Sequence, residues 1–174
     1  GEAVKFLASL AGMQPYTFSK QDLARENEWK KYSSIYSQYV EFYHHRLLKN
    51  ENSNFAKEYL KNRKLSKEVV DKFKIGYVEK NPNFYEKLKK DFDEKTLVET
   101  GLFYFDEKRN IYVERFRDRI IFPINSISGK PIGLGGRTIQ ENNYLAKYIN
   151  SPETPFFKKG SNLYNLDNAR KFSN

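Results

Sequence analysis

From about Glu26 onward, apolar residues recur three and four positions apart: Trp29, Tyr32, Ile35, Tyr36, Tyr39, Val40, Tyr43 and Leu47. That spacing gathers them on one stripe while Lys, Ser, Gln and Glu fill the other, so it predicts a long amphipathic helix with a wide aromatic face. Upstream, Val4, Leu7, Ala8 and Ala11 carry the same period between Gly1 and about Met13, and the polar stretch QPYTFSKQD with its Pro15 reads as a linker. Downstream, Ser53 or Asn54 can cap a second helix through Phe55, Tyr59 and Leu60, and Ser66 a third through Val69, Val70 and Phe73.

After Phe73 the period shortens. IGYV at 75–78 is β-like, and short helices follow around Phe84 to Lys90 and around Glu94 to Thr100, the latter stopped by Gly101 at C′. Strand patterns then crowd together: LFYF at 102–105, IYV at 111–113, RIIFPI at 119–124 and PIGLGG at 131–136. DEKRN and NSISGK between them suit hairpin connections, and SNLYNLDNARKF suits a short helix. The expected class is α+β, a helical N-terminal portion packed beside a mostly antiparallel, strongly twisted β-sheet. Residues 1–25 read as a helix and linker from a preceding domain, and 26–174 as one domain with a helical part at 26–75 and a sheet-containing part at 76–174. The aromatic stripe of the long helix could serve as a partner surface, but burial against the sheet accounts for it more simply.

With 174 residues, 39% hydrophobic and 16% aromatic, the chain can fill a core, which excludes global disorder. Its 31 Lys+Arg against 22 Asp+Glu give a formal charge of +9 and a pI near 9.5. A polyanion suits such a surface, although drift toward Lys, Asn, Ile and Tyr raises pI equally well, so the placement of the charges decides. The absence of cysteine excludes disulfides and Cys-type zinc or iron–sulfur sites within this chain. No apolar run approaches the roughly 20 residues needed to cross a bilayer, and GEAVKFLASLAGM is unlike a signal peptide. The expectation is a cytoplasmic protein.

Three segments carry candidate chemistry. In VERFRDRIIFPI, Arg115, Arg117 and Arg119 alternate, so an extended chain would project them from one face about 6.6 Å apart, a spacing that suits successive phosphates. The same pattern also describes a solvated sheet face partly neutralised by Asp118 and Glu114. GLGGR places Gly133, Gly135 and Gly136 before Arg137, allowing either close approach of a ligand or close packing. It is not a dinucleotide fingerprint. KYINSPETPFFKKG mixes Lys147, Asn150, Lys158 and Lys159 with Tyr148, Phe156 and Phe157, as expected where phosphates and unstacked bases are held together, yet SPETP is also an ordinary turn. Asp118 and Glu153 lack partner carboxylates and read as salt-bridge partners; His44 and His45 read as structural or solvent residues.

Five blocks in order, YLKNRKLSKEVVDKFKIGY, RFRDRIIFPI, PIGLGGR, KYINSPETPFFKKG and LYNLDNAR, resemble the bacterial DnaG-type DNA primases, specifically the N-terminal subdomain of their RNA-polymerase domain. The resemblance covers about Lys30 to the C-terminus, and GEAVKFLASLAGM is similar to the last helix of the family's zinc-binding domain. It implies synthesis of short RNA primers on single-stranded DNA from ribonucleoside triphosphates. It also implies Mg2+ or Mn2+ held by acidic residues of a following TOPRIM subdomain, Zn2+ in a preceding domain, and a replicative helicase and single-strand binding protein as partners. The chain stops at KFSN, before the strand and EGY-type motif that open TOPRIM, so it reads as a fragment inactive alone, with no catalytic residue or metal ligand of its own. Nucleic-acid or nucleotide contacts carry over to Arg117, Arg119, Arg137, Lys147, Tyr148, Asn150 and Lys159. Arg63 matches an Arg-Gly-Leu motif whose glycine is here Lys64, which leaves the direction of Arg63 open. Leu134 replaces a commoner phenylalanine, a change expected to be neutral. The alternative reading is a non-catalytic single-strand-binding or helicase-partner module.

Overall fold

The structure, a computed structural model, describes residues 2–13, 19–140 and 146–172. It divides into two units, Gly1–Lys31 and Tyr32–Asn174. The first holds helix α1 (Glu2–Leu10) and the opening turns of α2 (Lys20–Lys49). The linker expected around Pro15 lies outside the described residues. Helix α2 begins nine residues before Trp29, the first stripe position, because Ser19 and Asp22 form a reciprocal cap. The Asp22 amide donates to Ser19 Oγ (3.1 Å) and the Ser19 amide to Asp22 Oδ2 (3.0 Å), satisfying two otherwise orphaned N–H groups.

The second unit contains the rest of α2, a single 3-10 turn at Glu51–Ser53, and helices α3 (Asn54–Asn62), α4 (Lys67–Lys72), α5 (Phe84–Leu88), α6 (Glu94–Glu99) and α7 (Leu166–Ala169). Ser53 holds the N-cap position expected for α3 but makes no side-chain cap bond, its Oγ donating instead to the Arg46 carbonyl, while Asn50 caps the preceding 3-10 turn by accepting from the Asn52 amide. Ser66 and Asp93 cap α4 and α6 by accepting from the amides of Val69 and Thr96.

Strands β1 (Gly76–Val78), β4 (Arg119–Asn125), β5 (Pro131–Thr138) and β6 (Tyr148–Asn150) form one antiparallel sheet in the order β1-β4-β5-β6. Strands β2 (Phe103–Asp106) and β3 (Ile111–Glu114) form a separate hairpin. Pairing partners in an antiparallel sheet share a face. On one face lie Val78, Ile121 and Leu134, packed with Ile35, Tyr36, Tyr39, Val40 and Tyr43 of α2, so the aromatic stripe is buried in the core. Gly76 lets the helix approach: a Cβ there would sit 2.9 Å from the Tyr43 carbonyl carbon. On the other face, Tyr77 and Ile120 join Leu47, Ala56, Leu60, Val70 and Ile75. Helices α3 and α4 thus supply core beside Ile120, while Gly135 and Asn150 further along that face border an open cleft.

Two buried polar clusters lock this frame. Glu114, 2% exposed, accepts from the Tyr43 hydroxyl at 2.6 Å and from the Phe84 amide at 2.7 Å; burial pushes its pKa up, opposed by those donors. His44, buried in α2, has Nδ1 2.7 Å from the Ile75 carbonyl and Nε2 3.4 Å from Asp71, a structural role; His45 is exposed.

Candidate nucleic-acid interface

Antiparallel register sets Arg137 between Ile120 and Tyr148, and Gly135 between Phe122 and Asn150. Arg137, Tyr148 and Asn150 therefore emerge on the same face of the sheet, opposite the face that meets the aromatic stripe of α2. The Arg137 guanidinium carbon lies 5.1 Å from the ring centre of Tyr59 and 5.2 Å from that of Tyr148. The Arg63 guanidinium lies 5.5 Å from the same Tyr59 ring. Two sequence-distant arginines and two tyrosines thus form one cluster, at separations where the negative face of a ring attracts a cation.

Arg63 reaches it because of the turn after α3. Lys64 has φ +59°, its amide donates to the Lys61 carbonyl at 2.8 Å, and the Leu65 amide donates to the Leu60 carbonyl at 3.1 Å. This is a left-handed helix terminus, usually occupied by glycine. Lysine adopts it at a steric cost, and the turn forms without the glycine of the family motif.

Beside the cluster, Phe122, Gly135, Asn150, Phe157, Lys159 and Asn162 line a cleft of about 270 Å³. The SPETPFFKK segment builds its rim as a tight turn. The Thr154 amide donates to the Phe157 carbonyl (3.0 Å), the Ser151 amide to the Leu134 carbonyl (2.8 Å), and the Lys159 amide to Glu153 Oε1 (3.0 Å). The turn seats Phe157 against Gly133, where a Cβ would stand 3.0 Å from the ring, and Gly136 is filled by Phe116 in the same way. Gly133 and Gly136 are packing glycines, and Gly135 faces the cleft. Lys147 is exposed one residue before β6, its carbonyl accepting from the Thr138 amide.

The alternating arginines do not form a straight row. Residues 115–118 turn between β3 and β4, and Asp118 takes φ +57° while accepting from the Tyr77 hydroxyl at 2.7 Å. Arg115 Nε donates to the Gly101 carbonyl (2.6 Å), and Arg117 donates to the Tyr104 hydroxyl (3.1 Å). Arg117 also lines a different cleft, with Lys80 and Arg109. Arg119 is 6% exposed and pairs with Val78 and Thr138, on the face away from Arg137; burial pulls its pKa below the usual arginine value. The turn that breaks the alternation owes its shape to a tertiary hydrogen bond, which spacing alone does not reveal. Among the described residues Asp118 and Glu153 do not form the expected salt bridges: they accept from a tyrosine hydroxyl and a backbone amide. Strand β6 and Tyr59 escaped the sequence reading. The strand is three residues long and largely exposed, and Tyr59 sits in helical register with core residues.

Among the described residues no cluster of His, Cys, Asp or Glu could hold a metal ion, and no helix is long and apolar enough to cross a membrane. What the cleft offers instead is cations, amides and ring faces, a donor set for phosphate and bases.

Residues 42–170 match the DNA primase catalytic core, N-terminal domain. The chain is 36% identical over 175 residues to a DNA primase of Geobacillus stearothermophilus, covering 97% of this chain and 29% of that protein, so it spans less than a third of that relative's length. Among solved structures it is similar to a DnaG primase catalytic domain bound to single-stranded DNA (TM-score 0.73, 31% identity, 84% of this chain and 47% of that one). It is also similar to the zinc-binding and RNA polymerase domains of the Aquifex aeolicus primase (TM-score 0.72, 31% identity, 98% of this chain and 40% of that one). With the family's domain matched over most of the chain and its fold reproduced, this protein belongs to the DNA primase family, as the N-terminal domain of the catalytic core.

Proposed function

We propose that this domain guides single-stranded DNA template, and the triphosphates and RNA primer paired to it, during primer synthesis by a DNA primase. The observation that carries the reading is the shared sheet face that brings Arg137, Tyr148 and Asn150 beside Arg63 and, across the cleft rim, Lys159. Guanidiniums there offer paired donors to phosphate oxygens, and Tyr148, 61% exposed, offers a ring on which a base can stack. Lys147 adds a mobile cation at the strand entrance. Arg117, on a separate cleft, would touch a different stretch of the strand, while Arg119 acts from inside the sheet by donating to the Lys147 carbonyl and so fixing the start of β6. The similar structure bound to single-stranded DNA supports this assignment.

Catalytic Mg2+ or Mn2+ needs clustered carboxylates, and a site of Arg, Lys, Asn and Tyr does not fit a divalent ion. No chemical step is therefore assigned to these residues; their contribution is to bind and orient polyanions. Within the same reading, residues 1–25 come from a preceding zinc-binding domain. Phe6, Leu7 and Leu10 of α1 are more than 60% exposed, and a structure containing that domain matches 98% of the chain. The whole protein would work in the cytoplasm at the replication fork with a replicative helicase and single-strand binding protein.

The test is fluorescence anisotropy of labelled single-stranded DNA over a salt series. Each phosphate contact removed should lower the slope of log affinity against log salt by about 0.7. Arg137→Ala with Lys159→Ala should flatten the slope and weaken binding to all base sequences alike. A slope equal to the parent's would sink the reading and leave the charge as compositional drift.

A further inference from the structure

The arginines around the sheet are held in two different ways. Arg46 and Arg115 lie over the rings of Phe42 and Tyr104 but also have polar partners, Arg46 pairing with Glu79 and Arg115 donating to a backbone carbonyl; Arg119 donates to a backbone carbonyl and Arg117 to a tyrosine hydroxyl. Arg137 is held by rings: its guanidinium lies 5.1 Å from Tyr59 and 5.2 Å from Tyr148, and its buried Nε has no hydrogen-bond partner among the described residues. The difference matters physically. A carboxylate would orient the guanidinium but neutralise it, whereas a ring face orients the plane and leaves the charge and the terminal NH2 donors for a ligand. An arginine fixed in this way loses little conformational entropy when a phosphate binds.

Tyr59 occupies the centre of this arrangement. Its one ring serves Arg137 from β5 and Arg63 from the end of α3, and Tyr148 completes the sandwich from β6. Among the described residues its hydroxyl is buried without a partner, so the ring, and not the hydroxyl, accounts for the residue's usefulness here. Leaving a buried hydroxyl unpaired destabilises the fold. Holding two guanidiniums around one ring also concentrates positive charge that a polyanion would relieve.

We propose that Tyr59 is a positioning residue: its ring holds Arg63 and Arg137 with their charges unneutralised and their donors presented to the backbone phosphates of a single strand. This inference rests on the reading of the domain as a template guide.

Three variants separate the ring from the hydroxyl and from mere packing. Tyr59→Phe keeps the ring and removes the unpaired hydroxyl, so it should bind single-stranded DNA within about twofold of the parent and unfold at the same or a higher temperature. Tyr59→Leu keeps apolar bulk without a π-face and should weaken binding about fivefold while remaining folded. In an Arg63→Ala/Arg137→Ala background, Tyr59→Leu should change affinity by less than about twofold, because the groups it positions are gone. A fivefold loss that persists in that background, or parent-like binding by Tyr59→Leu where Arg137→Ala binds poorly, overturns the proposal.

A readout without DNA keeps this separate from the template reading. In 15N-labelled protein, the Arg137 Nε–H resonance, assigned by its loss in Arg137→Lys, should move and exchange faster with water in Tyr59→Leu but not in Tyr59→Phe. An unchanged resonance in Tyr59→Leu refutes the positioning role. If the resonance responds but Arg137→Ala leaves DNA binding intact, Tyr59 still positions Arg137 and the template reading is what fails.

Discussion

Lys64→Gly should make this protein more stable although it removes a side chain. Lys64 ends α3 at φ +59°, with the Leu65 amide donating to the Leu60 carbonyl across the turn. An L-residue in that conformation bears a steric cost of about 1–2 kcal/mol, which glycine does not. Against this, glycine gives the unfolded chain extra freedom that costs about 0.4–1 kcal/mol. The net gain is about 0.5–1 kcal/mol, and a chain of this size shifts by about 2–4 °C per kcal/mol, so the melting temperature should rise by about 1–4 °C. Differential scanning calorimetry reads this directly. Lys64→Ala is the control, since it removes the same charge and stem but keeps the strained backbone; it should not gain. Because the turn is already glycine-like, Arg63 should stay on Tyr59, and the two variants should bind single-stranded DNA equally. If Lys64→Gly is no more stable than Lys64→Ala, the strain assigned to this turn is absent.

Other perturbations test the packing beneath the site. Gly136→Ala would place a methyl group 2.4 Å from Cδ1 of the fully buried Phe116 ring, so urea unfolding should show a loss of about 1–3 kcal/mol, and a neutral result would mean the ring has room to move. Ser66→Ala removes the cap of α4, whose hydrogen bond is long at 3.4 Å, so the loss should fall near the lower end of about 0.5–2 kcal/mol; no loss would show that water replaces the cap. Glu114 has its pKa raised by burial, so the folded state holds its proton more tightly than the unfolded chain, and its contribution is greatest at acidic pH and declines as pH rises through the raised value. The stability of the parent relative to Glu114→Gln should accordingly fall from acidic toward neutral pH, and a difference that stays flat would place Glu114 outside this linkage.

Much of this protein was legible in its pattern of residues. The stripe from Tyr32 to Leu47 specified a buried aromatic helix, and most strands and both hairpin loops lie within a residue or two of expectation. Periodicity succeeds there because burial of one face decides the element, and burial is written locally in side-chain type. The blocks around RFRDR, GLGGR and KYIN supplied the residue types that a polyanion site would need, each beside an ordinary structural reading.

Which of those residues can act together was decided only in three dimensions. Alternation in VERFRDR suggested a straight arginine track, yet a turn held by Tyr77 and Asp118 sends Arg117 to another cleft and buries Arg119. Arg63 and Arg137, 74 positions apart in the chain, meet on the ring of Tyr59, a residue whose sequence context marks it only as helix core. Sequence alone determined the elements, the sign of the charge and the residue types available for binding phosphate. Strand register, the break in the β3–β4 connection and the helix terminus at Lys64 determined which cations share a face. Those choices depend on partners distant in the chain, whose interaction energies enter only when the tertiary structure brings them into contact.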